Sequence, residues 1–272
     1  MPDGTTREIK PRSIDVDFAS VPRHWLGGSV VGTHVANGVN LLFPAGERFF
    51  VRSVRKYMDR VHDPVLLEQI KGFFGQEGRH AKEHERFFKI LEAQGYDISR
   101  FLAIYEKLAY GVLERMLPPE LALSTTAACE HFTAIMAENA LAARLLDDVA
   151  PAAMRELIMW HASEEIEHRA VAFDVLKQVN DAYALRVAGL AVAASCLGGF
   201  WLAGTLSLLA QEKSSMRSLW RDWMGSRRFA KQRNRKAVFG PGIREYLRRD
   251  FHPLDRDIDS LASEYLASAG LA

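Results

Sequence analysis

The sequence predicts an all-α protein, and three observations carry that expectation. Long helix-like stretches are punctuated by proline and glycine where helices begin and end. No strand-like alternation competes with them between residues 29 and 180. One tetrad also appears twice, as Glu77-Gly78-Arg79-His80 and Glu165-Ile166-Glu167-His168. Glu-x-x-His places a carboxylate and an imidazole on one face only if the backbone is helical, because residues i and i+3 then sit one turn apart.

The elements follow in order. Residues 1–22 read as an irregular arm, and Ser29 to Leu42 is apolar enough for a short helix. Pro44 opens a helix expected to run to about Val61, since proline suits a first turn. Asp63-Pro64 supplies a cap and an N1 proline for a helix over Pro64 to Gln94, ended by Gly95. Ser99 to Met116 is a further helix, stopped by Pro118-Pro119. Two more are expected over Glu120–Asp148 and Pro151–Val179, parted at Val149-Ala150-Pro151. Val187 to Ala210 then runs 24 residues without a formal charge, and Lys213 to Lys236 carries nine Lys/Arg against one Asp. Gly240-Pro241-Gly242 and an amphipathic end, Leu261 to Leu271, complete the chain. The expected organisation is an arm (1–22), a metal-binding bundle (23–180), and an apolar helix, basic segment and C-terminal helices beside it (181–272).

Composition narrows the class. At 272 residues, 48% hydrophobic and 25% charged, the chain affords a sizeable core and is an ordinary globular protein. A formal net charge of +1 gives no global argument for nucleic acid. The two cysteines, Cys129 and Cys196, have no CxxC partner, which argues against a disulfide scaffold or a thiolate zinc site. The N-terminus lacks the apolar core of a signal peptide, so a cytoplasmic protein is expected.

The tetrads acquire meaning through two further glutamates. A dinuclear site in a four-helix bundle needs one Glu from each of two helices besides the two Glu-x-x-His helices. Glu47 and Glu130 fit. If the first hairpin turns at Asp63, Glu47 lies 16 residues before it, and Glu77 and His80 lie 14 and 17 after. If the second turns at Ala150, Glu130 lies 20 before, and Glu165 and His168 lie 15 and 18 after. At about 1.5 Å per residue both hairpins bring these side chains to similar heights, roughly 21–30 Å from their loops. Four glutamates buried together repel one another, and two divalent cations would neutralise them. The mixed oxygen and nitrogen donors suit iron or manganese, with zinc also admissible. No separate general base and no organic-cofactor motif is evident.

His161 lies four residues before Glu165 and so shares its face, which makes it a seventh candidate ligand. His84, four residues after His80, is read as a partner standing behind the ligands or an exposed residue, and Glu164 as such a hydrogen-bonding partner or solvent-facing. Glu167 is read as hydrogen-bonding or solvent-facing, and His131 as pointing elsewhere.

The order single Glu, Glu-x-x-His, single Glu, Glu-x-x-His resembles ferritin-like di-iron carboxylate proteins. That resemblance implies a ferritin-like four-helix core with accessory C-terminal helices. The added histidine resembles p-aminobenzoate N-oxygenase and related arylamine oxygenases, where such a histidine ligates iron. The resemblance implies Glu47, Glu77, His80, Glu130, His161, Glu165 and His168 as ligands. More closely, FPAGERFF, FFGQEGRHAKEH and WHASEEIEHRAVAFD resemble a bacterial family labelled "predicted metal-dependent hydrolase", over about Trp25 to Tyr246. The ligand pattern implies a non-haem di-iron oxygenase or oxidase that uses O₂ and an external electron donor to N-oxygenate or hydroxylate a small organic substrate. The label implies a hydrolase with a metal-bridging hydroxide instead. A membrane-associated metal- or lipid-binding protein without turnover is a third reading.

Phe49, Phe50, Phe73, Phe74, Phe132, Trp160 and Phe173 lie near the candidate ligands in sequence. They read first as core, and second as the lining of a pocket for an apolar or aromatic substrate. For Val187–Ala210 there are three readings: a helix buried in the domain or a homodimer interface, a monotopic hairpin dipping into the inner leaflet, and a true span. The basic follower with Trp201, Trp220 and Trp223 suits anionic headgroups. No base-stacking motif supports nucleic-acid binding.

Overall fold

The computed structural model describes residues 8–144, 146–232 and 239–272, and these form helices with no strand among them. The helices are α1 (Val30–Asn40), α2 (Phe43–Arg55), α3 (Pro64–Ala93), α4 (Ser99–Glu106), α5 (Glu114–Met116), α6 (Pro119–Ala142), α7 (Ala152–His168), α8 (Val171–Val179), α9 (Tyr183–Leu209), α10 (Met216–Gln232), α11 (Phe239–Tyr246) and α12 (Asp259–Ser268). The chain is all-α, as the sequence predicts.

Local chemistry starts and stops the helices that matter. Ser29 caps α1, its hydroxyl accepting from the Gly32 amide, and the Asp63 carboxylate caps α3 by accepting from the Val65 amide. Gly95, at φ +91°, turns the chain after α3.

Four expected boundaries move, each for a reason. α2 ends at Arg55, not Val61: Tyr57 leaves helical geometry and a 3₁₀ turn, Met58–Arg60, reverses the chain toward Asp63. α6 ends at Ala142, not Asp148, because Arg144 adopts φ +46°. The single helix expected over Ser99–Met116 carries a π-helical stretch, Lys107–Leu113, between α4 and α5. The expected Pro151–Val179 helix divides at Arg169-Ala170. There the buried Arg169 guanidinium donates to the Ile166 carbonyl at 2.6 Å and competes for the acceptor that a continuing helix would use.

Helices α2, α3, α7 and α6 close a ring, each packing on the next and α6 returning to α2. Apolar side chains fill this bundle, among them Phe49, Ile70, Phe73, Phe132 and Phe173, all buried. The arm is irregular in backbone yet packed, with Ile9, Ile14, Val16 and Phe18 buried.

α9 lies along α6 and α1. Its close approach needs glycine. A Cβ at Gly189 would meet Ser124 Oγ at 2.1 Å, and one at Gly38 would meet Thr205 Oγ1 at 2.3 Å. The Trp201 indole donates to the Val35 carbonyl at 2.7 Å. Only 22% of the most apolar window of α9 is buried within the chain. Burial in the domain therefore accounts for one face. The other, including Ala188, Ala191, Leu202 and Leu206, is uncharged and open. A Cβ at Gly198 or Gly199 would meet nothing within 4 Å, and the helix runs through both.

Candidate metal centre

The bundle brings seven side chains to one place. α2 supplies Glu47; α3 supplies Glu77 and His80; α6 supplies Glu130; and α7 supplies His161, Glu165 and His168. All seven are buried. Their donor atoms form overlapping groups: Glu47, His80 and His161; Glu77, Glu130 and His168; and Glu77, His80 and Glu165 joining the two. Within each group the atoms lie within 4.8 Å of one another. His168 Nε2 is 3.1 Å from Glu77, 3.2 Å from Glu130 and 3.4 Å from Glu165. His161 Nε2 is 2.7 Å from Glu165 Oε1 and 3.7 Å from Glu47.

The convergent atoms lack other partners. Both carboxylate oxygens of Glu47, Glu77 and Glu130, Glu165 Oε2, His80 Nδ1 and His168 Nε2 are buried and make no hydrogen bond. Native interiors satisfy almost all buried polar atoms, so such a concentration calls for a ligand. Four carboxylates and three imidazoles aimed at a common space fit cations and little else.

The outward-facing nitrogens tell the same story. Glu164 Oε2 lies 2.9 Å from His80 Nε2, so that nitrogen has an outer partner while Nδ1 is the one aimed inward. The Gln76 carbonyl oxygen accepts from His168 Nδ1 at 2.9 Å, which leaves Nε2 free. His161 Nδ1 donates to His84 Nε2 at 2.7 Å, and His84 Nδ1 donates in turn to Asn40 Oδ1. In each imidazole the nitrogen facing away from the shared space thus has an outer partner, and such partners set the orientation of the ring.

These outer partners are tied down by the arm. Arg12 forms a bidentate pair with Glu167, at 2.7 and 2.9 Å, and its backbone amide donates to Glu164 at 3.0 Å. Gln76 Nε2 also donates to Glu167, at 2.8 Å. His84 and Glu164 stand behind ligand candidates, Glu167 is hydrogen-bonded, and His131 points away, donating to the Gly242 carbonyl at 2.9 Å. Arg12, Gln76 and Asn40 escaped the sequence reading. No spacing rule links a residue in an irregular arm, or a lone amide, to a histidine on another helix.

Without cations the cluster distributes protons unevenly. Burial, reinforced by neighbouring carboxylates, holds Glu47 and Glu77 well above the usual carboxylate range. Burial also pushes Glu130 to about 7, outweighing the attraction of His168. On Glu165 burial is itself outweighed by His168 and by the His161 hydrogen bond, and its carboxyl sits well below the usual range. His168 is correspondingly raised, because Glu165 and Glu130 overcome the cost of burying its charge. Burial and the neighbouring His161 hold His80 well below the usual histidine range. The site demands positive charge and, left to itself, collects protons.

A cavity of about 1090 Å³ reaches this cluster at His84, His161 and Glu165. Beside them its wall is Phe43, Met136, Ala137 and Ala162, with Thr133, and farther out it is bounded by α1 and α10. None of the seven aromatics noted near the ligands in sequence lines it. They are core or ring neighbours: Phe73 meets the His168 ring edge-on at 5.0 Å and Trp160 meets His80 at 4.9 Å. Phe43 lies 4.8 Å from both His84 and His161, centroid to centroid.

The family model described as predicted metal-dependent hydrolase matches residues 10–257. The chain belongs to that family. No curated protein and no solved structure matches it. Membership agrees with a buried His/Glu cluster suited to metal ions, and it extends over the arm that carries Arg12.

Proposed function

We propose that this chain is a dinuclear non-haem iron enzyme that uses O₂ to oxidise an apolar organic substrate. The observation that carries the reading is the convergence of seven donor residues, most of whose inward atoms make no hydrogen bond, at the inner end of a largely apolar cavity. Glu47, Glu77, His80, Glu130, His161, Glu165 and His168 would hold the ions. Four carboxylates would balance two divalent cations. A bound pair of redox-active ions would supply the electrons and Lewis acidity that O₂ reduction requires. The chain's own residues do the rest. Glu164, Gln76 and His84 orient the imidazoles. Phe43, Met136, Ala137 and Ala162 exclude water and accept an alkyl or aryl group. Electrons come from an external donor, since the sequence carries no flavin or iron–sulfur motif.

The family description favours a second reading, hydrolysis by a metal-held hydroxide. Hydrolysis needs a proton for the leaving group. Near the ligands the described lining offers His84, bonded on both sides, Thr133, whose hydroxyl donates to the Glu130 carbonyl at 3.0 Å, and Asn40, whose free amide N–H is not an acid. That scarcity of proton-giving acids beside the ligands supports oxidation. The test is iron-loaded, reduced protein given apolar amines, alcohols and esters with and without O₂. Substrate-dependent O₂ uptake is the expected result. Ester or amide cleavage that proceeds equally under argon would overturn the oxidative reading in favour of the hydrolytic one.

A further inference from the structure

Helix α10 is amphipathic the wrong way round for a protein surrounded by water. Met216, Trp220, Trp223 and Met224 recur at i, i+4, i+7 and i+8, which is one helical stripe. That stripe is exposed, at 81, 64, 40 and 37% respectively. The opposite side, with Ser218, Asp222 and Gly225, lines the cavity that leads to the metal cluster, and Arg221 and the part-exposed Trp223 border the same cavity. Asp222 fastens this inner side to the start of α1, accepting from Ser29 Oγ at 2.9 Å and the Val31 amide at 2.7 Å. A core-facing helix turns its apolar stripe inward; here the apolar stripe faces out.

The charges beside the stripe have one sign. Lys213, Arg217 and Arg221 are exposed, while the segment's single acid, Asp222, is drawn inward. The segment as a whole, Lys213 to Lys236, holds nine Lys/Arg and one Asp; its residues 233–236 lie outside those described. Two exposed tryptophans and two methionines flanked by cations match an anionic bilayer surface, where indoles settle at headgroup level and cations meet phosphate.

We infer that α10 docks this protein on an anionic lipid surface, with Met216, Trp220, Trp223 and Met224 entering the headgroup–acyl boundary. Because the same helix walls the cavity, docking sets the cavity's outer part against the bilayer. α9 stays in the protein, packed on α6 and α1, and does not cross. The inference is independent of which reaction the metal cluster performs.

The test is co-sedimentation of the full chain with phosphatidylcholine vesicles made with and without phosphatidylglycerol, at low and high salt. Binding is expected only where phosphatidylglycerol is present, weakening as salt rises. Lys213→Gln with Arg217→Gln should weaken it roughly 30-fold, at about 1 kcal/mol per surface cation. Met216→Ser with Trp220→Ser should reduce it to background. Both pairs are exposed, and unchanged circular dichroism and metal content would confirm folding. Absence of binding to either vesicle, or binding that ignores these substitutions, overturns the inference. So does a dimer in solution that Met216→Ser with Trp220→Ser dissociates while vesicles bind nothing, which would assign the stripe to a second copy of the chain.

Discussion

Among the described residues histidine and glutamate gather in the fully buried bundle cluster and in a second, partly buried cluster, and the two differ in how their lone pairs are satisfied. The bundle cluster has been described. The other joins His24, His34 and Glu212, whose donor atoms also lie within 4.8 Å of one another. In the bundle both oxygens of Glu47, Glu77 and Glu130 and one of Glu165 make no hydrogen bond. At Glu212 one oxygen accepts from His24 Nε2 at 3.1 Å, from His34 Nε2 at 2.8 Å and from the Tyr96 hydroxyl, with Arg23 Nε at 3.4 Å. The open lone pairs of the first cluster suit cations. The second already has its donors, and the Arg23 guanidinium over the Tyr96 ring, 4.1 Å from its centroid, supplies a cation of its own. Residue types and proximity are shared; the satisfaction of each lone pair is what separates a metal site from a hydrogen-bond knot.

The largest effect should come from removing a bundle carboxylate. Glu77→Ala or Glu165→Ala should lower the metal content of protein reconstituted with ferrous iron from two equivalents to less than one, read by elemental analysis. Glu212→Ala should leave two equivalents in place. Equal metal loss in both variants would break the comparison.

The orienting shell comes next. Gln76→Leu removes the acceptor on His168 Nδ1, and metal affinity should fall roughly 10–100-fold with the fold intact, in keeping with other outer partners of metal-bound histidines. A competition titration against a chelator measures it. An unchanged affinity would mean that His168 needs no help to face the site.

Glu212→Ala should act on stability instead. It strands His34, Tyr96 and His24 without their acceptor, which costs about 2 kcal/mol. Urea unfolding of the metal-free protein would read the loss. Wild-type stability in this variant would show that the knot ties nothing.

The smallest effect is a pH dependence that sharpens the same point. Burial would raise Glu212, but its bonds from Tyr96, His34 and His24 win and bring it down to about 2. A carboxyl lowered on folding stabilises above its unfolded value, about 4.3, and that contribution fades as pH falls toward the folded value. The stability gap between wild type and Glu212→Ala should therefore be constant above pH ~5 and narrow below pH ~4. A gap that widens on acidification would mean that the carboxylate is not the acceptor the geometry shows.

Much of the bundle and the candidate site was legible in the sequence because it is written in short periods. The Glu-x-x-His tetrads and His161-x-x-x-Glu165 put their groups on one face of any helix they occupy, and hairpin symmetry brought Glu47 and Glu130 to the same height. Proline and glycine marked where α3, α5 and α6 begin or end. Boundaries decided by tertiary contacts were not legible. The break after His168 comes from Arg169, whose guanidinium also reaches Pro253, Arg256 and Asp259.

The sequence by itself thus determined an all-helical chain, its principal helices and which side chains could share a helix face, because those follow from 3.6 residues per turn acting over a few residues. Only the tertiary structure decided which imidazole nitrogen faces inward, since that depends on Glu164, Gln76, His84 and Asn40 arriving from other turns and other helices. Only it separated the bundle cluster from the Glu212 knot, because a carboxylate's worth as a ligand depends on whether donors from distant segments have reached it first. And only it turned the apolar stripe of α10 outward, because Asp222, bonded to Ser29 and Val31, had already fixed which side of that helix faces the cavity.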